Sequence, residues 1–239
     1  MQLCSALQAI SQPSFGTSDG MGQAKEMSRR GRQYGLPVKV KRAVDLIVSS
    51  ALLTTFSPLL FAVGILLFLT MGRPILFRQR RAGRYGRPFI VYKFRTMTDE
   101  RGAQGQPVAD RERVTRVGRL LRLFSIDEWP QLWNVLRGDM SLVGPRPLLM
   151  QYLERYSAEE MQRHQVKPGI TGWAQVNGRN ATSWQERFAL DVWYAENWSL
   201  GLDTRILVRT LWTVLAGEGV AHGGHVSMPE FLGSERNKS

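Results

Sequence analysis

The residues best suited to chemistry stand in one stretch, Ser125 to Pro147, reading SIDEWPQLWNVLRGDMSLVGPRP. Asp127 and Glu128 are adjacent carboxylates. Pro130 follows closely and is comfortable only in a helix's first turn, because it has no N–H to donate. The pattern predicts a helix starting near Asp127 to Trp129 with both acids at its N-terminus. There the macrodipole and the unpaired backbone N–H groups favour anions and keep a carboxylate ionised. Such a carboxylate could attack a phosphate; as competing reading, Asp127 is an N-cap and Glu128 a first-turn charge. Arg146 is locked between Pro145 and Pro147, so its guanidinium is presented from a stiff loop that loses little entropy on binding. A planar fork held this way suits bidentate capture of a phosphate, and a solvated arginine in a proline-rich turn is the alternative.

The elements that must position these groups lie on both sides. In PFIVYKFRTM, alternation places Phe89, Val91, Lys93, Arg95 and Met97 on one side of a strand, so Lys93 and Arg95 share a face and could receive a phosphate or pyrophosphate. A solvated or lipid-facing edge would show the same pattern. Asp99 to Asp110 reads as a polar loop. RVTRVGRLLRLFS then has helical apolar spacing with arginines around it, a basic amphipathic helix suited to a membrane surface, and Arg122 is its cation nearest the acidic pair. Gln151 to His164 looks helical and polar, with little functional signal. Lys167 to Asn180 reads as turn, short strand and second turn. Asn177-Gly178 is a hairpin-turn pair, while Gly169, Gly172 and Gly178 would also let backbone approach a ligand closely. Ser183–Asn197 and Asp203–Leu215 read as two helices whose tryptophans suit either the lipid headgroup level or core packing.

Ala43 to Met71 is apolar except for Asp45 and exceeds the roughly 20 residues that cross a bilayer. Lys39, Lys41 and Arg42 precede it and Arg73, Arg78, Arg80 and Arg81 follow, so both ends favour the cytoplasm. Ser57-Pro58 at its middle removes a helix hydrogen bond and favours a bend. A re-entrant helical hairpin satisfies both observations, and a kinked spanning helix is the rival.

The chain has 239 residues and a net charge of +12, which suits a polyanionic partner. No nucleic-acid-binding signature accompanies that charge, so phosphorylated substrates and membrane lipid are the expected partners and nucleic acid is not. The single cysteine, Cys4, excludes an intrachain disulfide, and three scattered histidines do not suggest a metal cluster. Residues 1–36 lack sustained periodicity and read as a mobile extension. Residues 37–73 read as the anchor, 74–216 as the catalytic domain, and 217–239 as a glycine-rich tail.

The run SIDEWPQLWNVLRGDMSLVGPRPLL, preceded by FIVYKFRTM and followed by RHQVKPGITGWAQVNGRN, resembles the bacterial sugar transferase family, the monotopic phosphoglycosyl transferases, and among them the short PglC type. The resemblance implies an α/β fold, mostly helical with a small sheet. In it a re-entrant membrane hairpin and amphipathic interfacial helices surround a compact cytosolic catalytic domain at the bacterial inner membrane. Lys41 and Arg42 would anchor at the headgroups, and Ser57 and Pro58 would form the helix break. The implied reaction moves a sugar-1-phosphate from a UDP-sugar, expected to be N-acetylated, to undecaprenyl phosphate, with UMP released. It implies Asp127 as nucleophile and Glu128 as metal ligand or helper, with Mg²⁺ as cofactor held by Asp127 and Glu128. Lys93, Arg95, Arg122, Arg146 and Arg179 would bind substrate phosphate, and the resemblance leaves room for a homodimer. Two other classes compete: a non-catalytic lipid-binding scaffold, and a UDP-sugar pyrophosphohydrolase with water as acceptor.

Overall fold

In the computed structural model, residues 35–100, 108–177, 183–216 and 230–233 are described, and Arg179 lies outside them. Contacts divide the chain into Met1–Val38 and Lys39–Ser239, and the second unit carries both sheets and the acidic pair. The protein is mostly helical with two small sheets.

Helix α1, Leu36–Met71, is the apolar segment, and among the described residues it alone is long and apolar enough to cross a membrane. Its helical assignment continues through Pro58. The reason is local. Pro58 cannot donate to the carbonyl of Thr54, and the hydroxyl of Ser57 donates to that carbonyl instead, at 2.8 Å. From Asp45 onward α1 touches the body at several points. Near its start, buried Asp45 accepts from the Ser141 hydroxyl at 3.1 Å and the Leu142 N–H at 3.0 Å. At the middle, Phe56 meets Trp129 edge to face, with ring centroids 4.6 Å apart. Toward its end, Val63 and Leu67 join Phe94 and Leu121 in an apolar cluster flanked by Leu60, Met71 and Ile126. Ile47, Phe61 and Leu69 on the remaining surface are exposed.

Strands β1 (Leu76–Ala82) and β2 (Pro88–Phe94) form an antiparallel hairpin, pairing Leu76 with Phe94 and Ala82 with Pro88. A single helical turn, α2 (Asp110–Arg113), leads to α3 (Arg116–Leu123), capped by the Thr115 hydroxyl. This basic helix starts later than its apolar spacing suggested, because Val114 is drawn into a bridge with Met97. The acidic pair comes next, then α4 (Gln131–Arg137). Strands β3 (Ser141–Val143) and β4 (Gly169–Thr171) pair in parallel. Between them, Met150–Arg155 and Glu160–Gln165 are 3₁₀ pieces where a polar helix was expected. Helices α5 (Trp173–Asn177), α6 (Trp184–Asn197, opened by a Ser183/Glu186 capping box) and α7 (Leu200–Leu215) complete the body. The aromatics of this region divide between the two roles: Phe188 and Tyr194 of α6 and Trp198 just after it are buried, and Trp193 and Trp212 are exposed.

Candidate active site

The acids stand one turn before the helix rather than in it. Ser125 is left-handed (φ 54°), Ile126–Glu128 is a 3₁₀ turn, and α4 begins only at Gln131, behind Pro130. The helix macrodipole therefore has less hold on them than expected, since α4 is short and the carboxylates precede it. Neighbouring cations set their charge instead.

Glu128 is clamped. Its Oε1 accepts from Lys93 Nζ at 2.6 Å and from Arg146 Nη2 at 2.5 Å, and Arg146 Nη1 lies 3.5 Å from Oε2. Burial works against the charge, but Arg146 and Lys93 outweigh it and hold the carboxyl well below its usual range. Asp127 differs. Its carboxylate makes no side-chain hydrogen bond among the described residues, and burial together with the adjacent Glu128 charge pushes it up to about 6. Lys93, Arg122 and Arg146 oppose that rise without cancelling it. At neutral pH Asp127 is therefore mostly ionised yet poorly satisfied, which favours a group that reacts.

The predicted cations separate by position. Lys93 reaches Glu128 from β2, and Arg146 reaches it from the proline loop. Arg122 stands near Asp127 with its Nε donating to Thr96 Oγ1 at 2.9 Å. That approach depends on Gly118 of α3, because a Cβ there would lie 2.1 Å from the Thr96 carbonyl oxygen. Arg95 is not brought to the acids: it pairs with exposed Asp99 at 2.7 Å and donates to the Met97 carbonyl, where the strand has ended and alternation no longer applies. Lys41 and Arg42 are likewise engaged within the protein. Lys41 pairs with Asp203 at 2.5 Å and donates to the Val143 carbonyl. Arg42 donates to the carbonyls of Val135 and Leu136, closing the C-terminus of α4. These bonds fasten α1 to α4, β3 and α7.

The Arg146 loop has supports that sequence reading missed. The Arg146 carbonyl accepts from Arg163 Nη2 at 2.8 Å, and Arg163 is buried in a 2.6 Å ion pair with Asp191 of α6. Arg163 also donates to the Tyr156 hydroxyl at 3.2 Å. Polar spacing around residue 163 gave no sign of this. Gly169 and Gly172, read as making room for a ligand, instead allow close approach of protein backbone. A Cβ on either would lie 2.1–2.2 Å from backbone atoms of Gly144, the residue before Pro145. Arg81, grouped by sequence with the cations flanking the membrane, faces Arg146 and Glu128.

For a divalent cation the donors are Asp127 and the less engaged Oε2 of Glu128. Among the described residues no group of three His, Cys, Asp or Glu side chains forms an all-protein cage. One or two carboxylates fit Mg²⁺, which completes its shell with waters and phosphate oxygens.

Asp127 is a half-buried carboxylate with no side-chain hydrogen bond among the described residues, set among guanidinium and ammonium groups that suit phosphate and beside a helix long and apolar enough to cross a membrane. The chain belongs to the bacterial sugar transferase family, whose sequence profile matches residues 37–217. It is therefore a transferase. It is 52% identical over 195 residues to an uncharacterized sugar transferase, EpsL, of Bacillus subtilis (strain 168), covering 82% of this chain and 96% of that one. It is 42% identical over 189 residues to the UDP-N-acetylgalactosamine-undecaprenyl-phosphate N-acetylgalactosaminephosphotransferase of Aeromonas hydrophila, covering 75% of this chain and 44% of that protein. With the UDP-glucose:undecaprenyl-phosphate glucose-1-phosphate transferase of Caulobacter vibrioides it shares 45% identity over 185 residues, 73% of this chain and 69% of the relative.

Proposed function

We propose that this protein transfers a sugar-1-phosphate from a UDP-sugar to undecaprenyl phosphate through a covalent intermediate on Asp127, releasing UMP. The observation that carries the reading is the contrast within the acidic pair: Asp127 is without a hydrogen-bonding partner among the described side chains, whereas Glu128 is locked by Lys93 and Arg146. The names of the Aeromonas and Caulobacter relatives supply the substrate classes.

In this reading an Asp127 carboxylate oxygen attacks the β-phosphorus of the donor. The phosphoanhydride bond breaks, its electron pair leaves with UMP, and an acyl-phosphate bearing the sugar remains. An oxygen of undecaprenyl phosphate then attacks that phosphorus and restores the Asp127 carboxylate. Arg122 and Arg146 offset the repulsion between a carboxylate and a diphosphate. Glu128 holds Lys93 and Arg146 at a fixed separation, a positioning role. Mg²⁺, held by Asp127 and Glu128 when bound, would neutralise phosphate charge.

Helix α1 keeps the site at the bilayer surface. Both its ends are fastened to the same body, Asp45 to β3 and Leu67 to β2 and α3. That supports a re-entrant path with both flanks and the site on the cytoplasmic face. An N-acetylated sugar is the proposed donor, on the resemblance to the short type.

The test is UMP release from a panel of UDP-sugars by membrane-embedded protein, with and without undecaprenyl phosphate, on wild type and Asp127→Asn. Lipid-dependent turnover that the variant lacks is the expected result. Release that ignores the lipid would make the protein a hydrolase, and a fully active Asp127→Asn would end the nucleophile assignment.

A further inference from the structure

We propose that Arg81 and Arg146 together form the subsite for the phosphate monoester that leaves the donor in the first half-reaction, an assignment that rests on the transferase reading above. Strand register places the first of them. In the β1–β2 hairpin Phe77 pairs with Lys93, Gln79 with Val91 and Arg81 with Phe89. Directly opposed residues share a face, so Arg81, Gln79 and Lys93 all project from the same side of the sheet. That is the side Lys93 uses to reach Glu128.

The end of β1 is also joined to the chain just past the proline loop. The Ala82 N–H donates to the Leu148 carbonyl at 3.0 Å, and Arg81 itself bridges Leu149. This places Arg81 beside the loop that carries Arg146, at the far end of the face from Lys93. Its guanidinium is tethered by Gln79, with Nη2 donating to Oε1 at 2.5 Å. The tether is neutral, so it orients the cation without neutralising it.

The charges around Arg81 do not balance. The groups acting on it are Arg146, the Tyr152 and Tyr156 phenols, and Glu128, which is the one carboxylate among them and is already shared by Lys93 and Arg146. Asp127 and Glu128 both act on Lys93 and Arg146, whereas Arg81 makes no ion pair among the described residues, and this partly buried cation calls for an anion. Burial and the Arg146 charge push the Arg81 guanidinium down from its usual range, as expected for a cation short of a counter-charge. Two guanidiniums suit the dianion of a phosphate monoester.

Two such monoesters visit the site, the departing UMP and the incoming polyprenyl phosphate. Asp127 is not among the groups acting on Arg81, whereas Lys93, Arg122 and Arg146 all act on Asp127. In-line displacement sends the leaving oxygen away from the nucleophile, so Arg81, the cation on which Asp127 does not act, serves UMP, with Arg146 between the two. As the anhydride bond breaks, its electron pair passes to the α-phosphate oxygen, and Arg81 and Arg146 stabilise that charge.

The experiment is UMP binding by calorimetry to the full chain in lipid nanodiscs, comparing wild type, Arg81→Met, Arg81→Lys and Gln79→Leu. It is paired with donor half-reaction rates and the KM for undecaprenyl phosphate. Arg81→Met should weaken UMP on the order of tenfold or more, the loss of a charge-assisted bond. Arg81→Lys should recover part of that loss, and Gln79→Leu should show a smaller effect of the same sign at unchanged fold stability. The KM for the lipid should stay within about threefold. Unchanged UMP affinity in Arg81→Met, or no UMP binding by wild type, overturns the subsite. A loss confined to the lipid KM assigns Arg81 to the acceptor and also overturns it. UMP binding that depends on Arg81 in a protein that transfers to no lipid would keep the subsite while ending the transferase reading.

Discussion

Asp127 and Glu128 are neighbours in sequence and differ in almost everything else. Glu128 meets two cations at hydrogen-bond distance and is held ionised; Asp127 meets none among the described side chains and is pushed up to about 6. Burial disfavours the charge on both, and the difference comes from their neighbours, since Lys93 and Arg146 hydrogen-bond Glu128 and not Asp127. One carboxylate is thereby fixed as a strut, and the other is left able to react. A helix start would treat the two acids alike, and the turn that replaces it does not.

Breaking the reactive half should have the largest effect. Asp127→Asn is expected to lower UMP release by about 10⁴-fold or more, since an amide cannot serve as the nucleophile. Breaking the strut comes next. Glu128→Gln leaves Lys93 and Arg146 without a counter-charge, which costs about 1–3 kcal/mol for partly exposed groups screened by solvent. We expect a clear fall in the melting temperature along with an activity loss of about 10²-fold, read by thermal unfolding and UMP release.

The contrast is sharpened by pH. If Asp127 attacks as the carboxylate, kcat/KM for the donor should rise with pH through about 6 and level off above 7. Glu128 should contribute no limb in that range. Stability gives the opposite sign. The folded state holds the Asp127 proton more tightly than the unfolded chain, whose ordinary value is 3.8. Stability from this group is therefore present at low pH and lost as pH rises through about 6. Asp127→Asn should accordingly be more stable than wild type at pH 7.5, on the order of 1–2 kcal/mol, and the gain should vanish near pH 4. The smallest effect belongs to Arg95: tied to Asp99 away from the acids, Arg95→Gln should change donor turnover by less than about threefold.

Much of this was legible in the chain. The acidic pair, Arg146 between its prolines, Lys93 on its strand face and the apolar α1 were all read from residue type and local period. What escaped depended on contacts between segments distant in sequence. Arg163 supports Arg146 through a bond to a backbone carbonyl and an ion pair with Asp191, neither of which leaves a local pattern. The partners of Lys41 and Arg42 within the protein were not legible, because sequence shows charge but not partners, and Asp203 lies 162 positions from Lys41. The bond from the Ser57 hydroxyl to the Thr54 carbonyl beside Pro58 was likewise not legible, because it is a matter of rotamer. Arg95 was assigned to a strand face beyond the point where the strand ends at Phe94.

The most direct measurement is the intact mass of the membrane-embedded protein after incubation with a UDP-sugar and Mg²⁺ in the absence of undecaprenyl phosphate. A mass increase equal to one sugar phosphate, mapped to Asp127 and discharged when the lipid is added, is the predicted result. Lipid-dependent turnover with no adduct, or an adduct on another residue, would contradict the account.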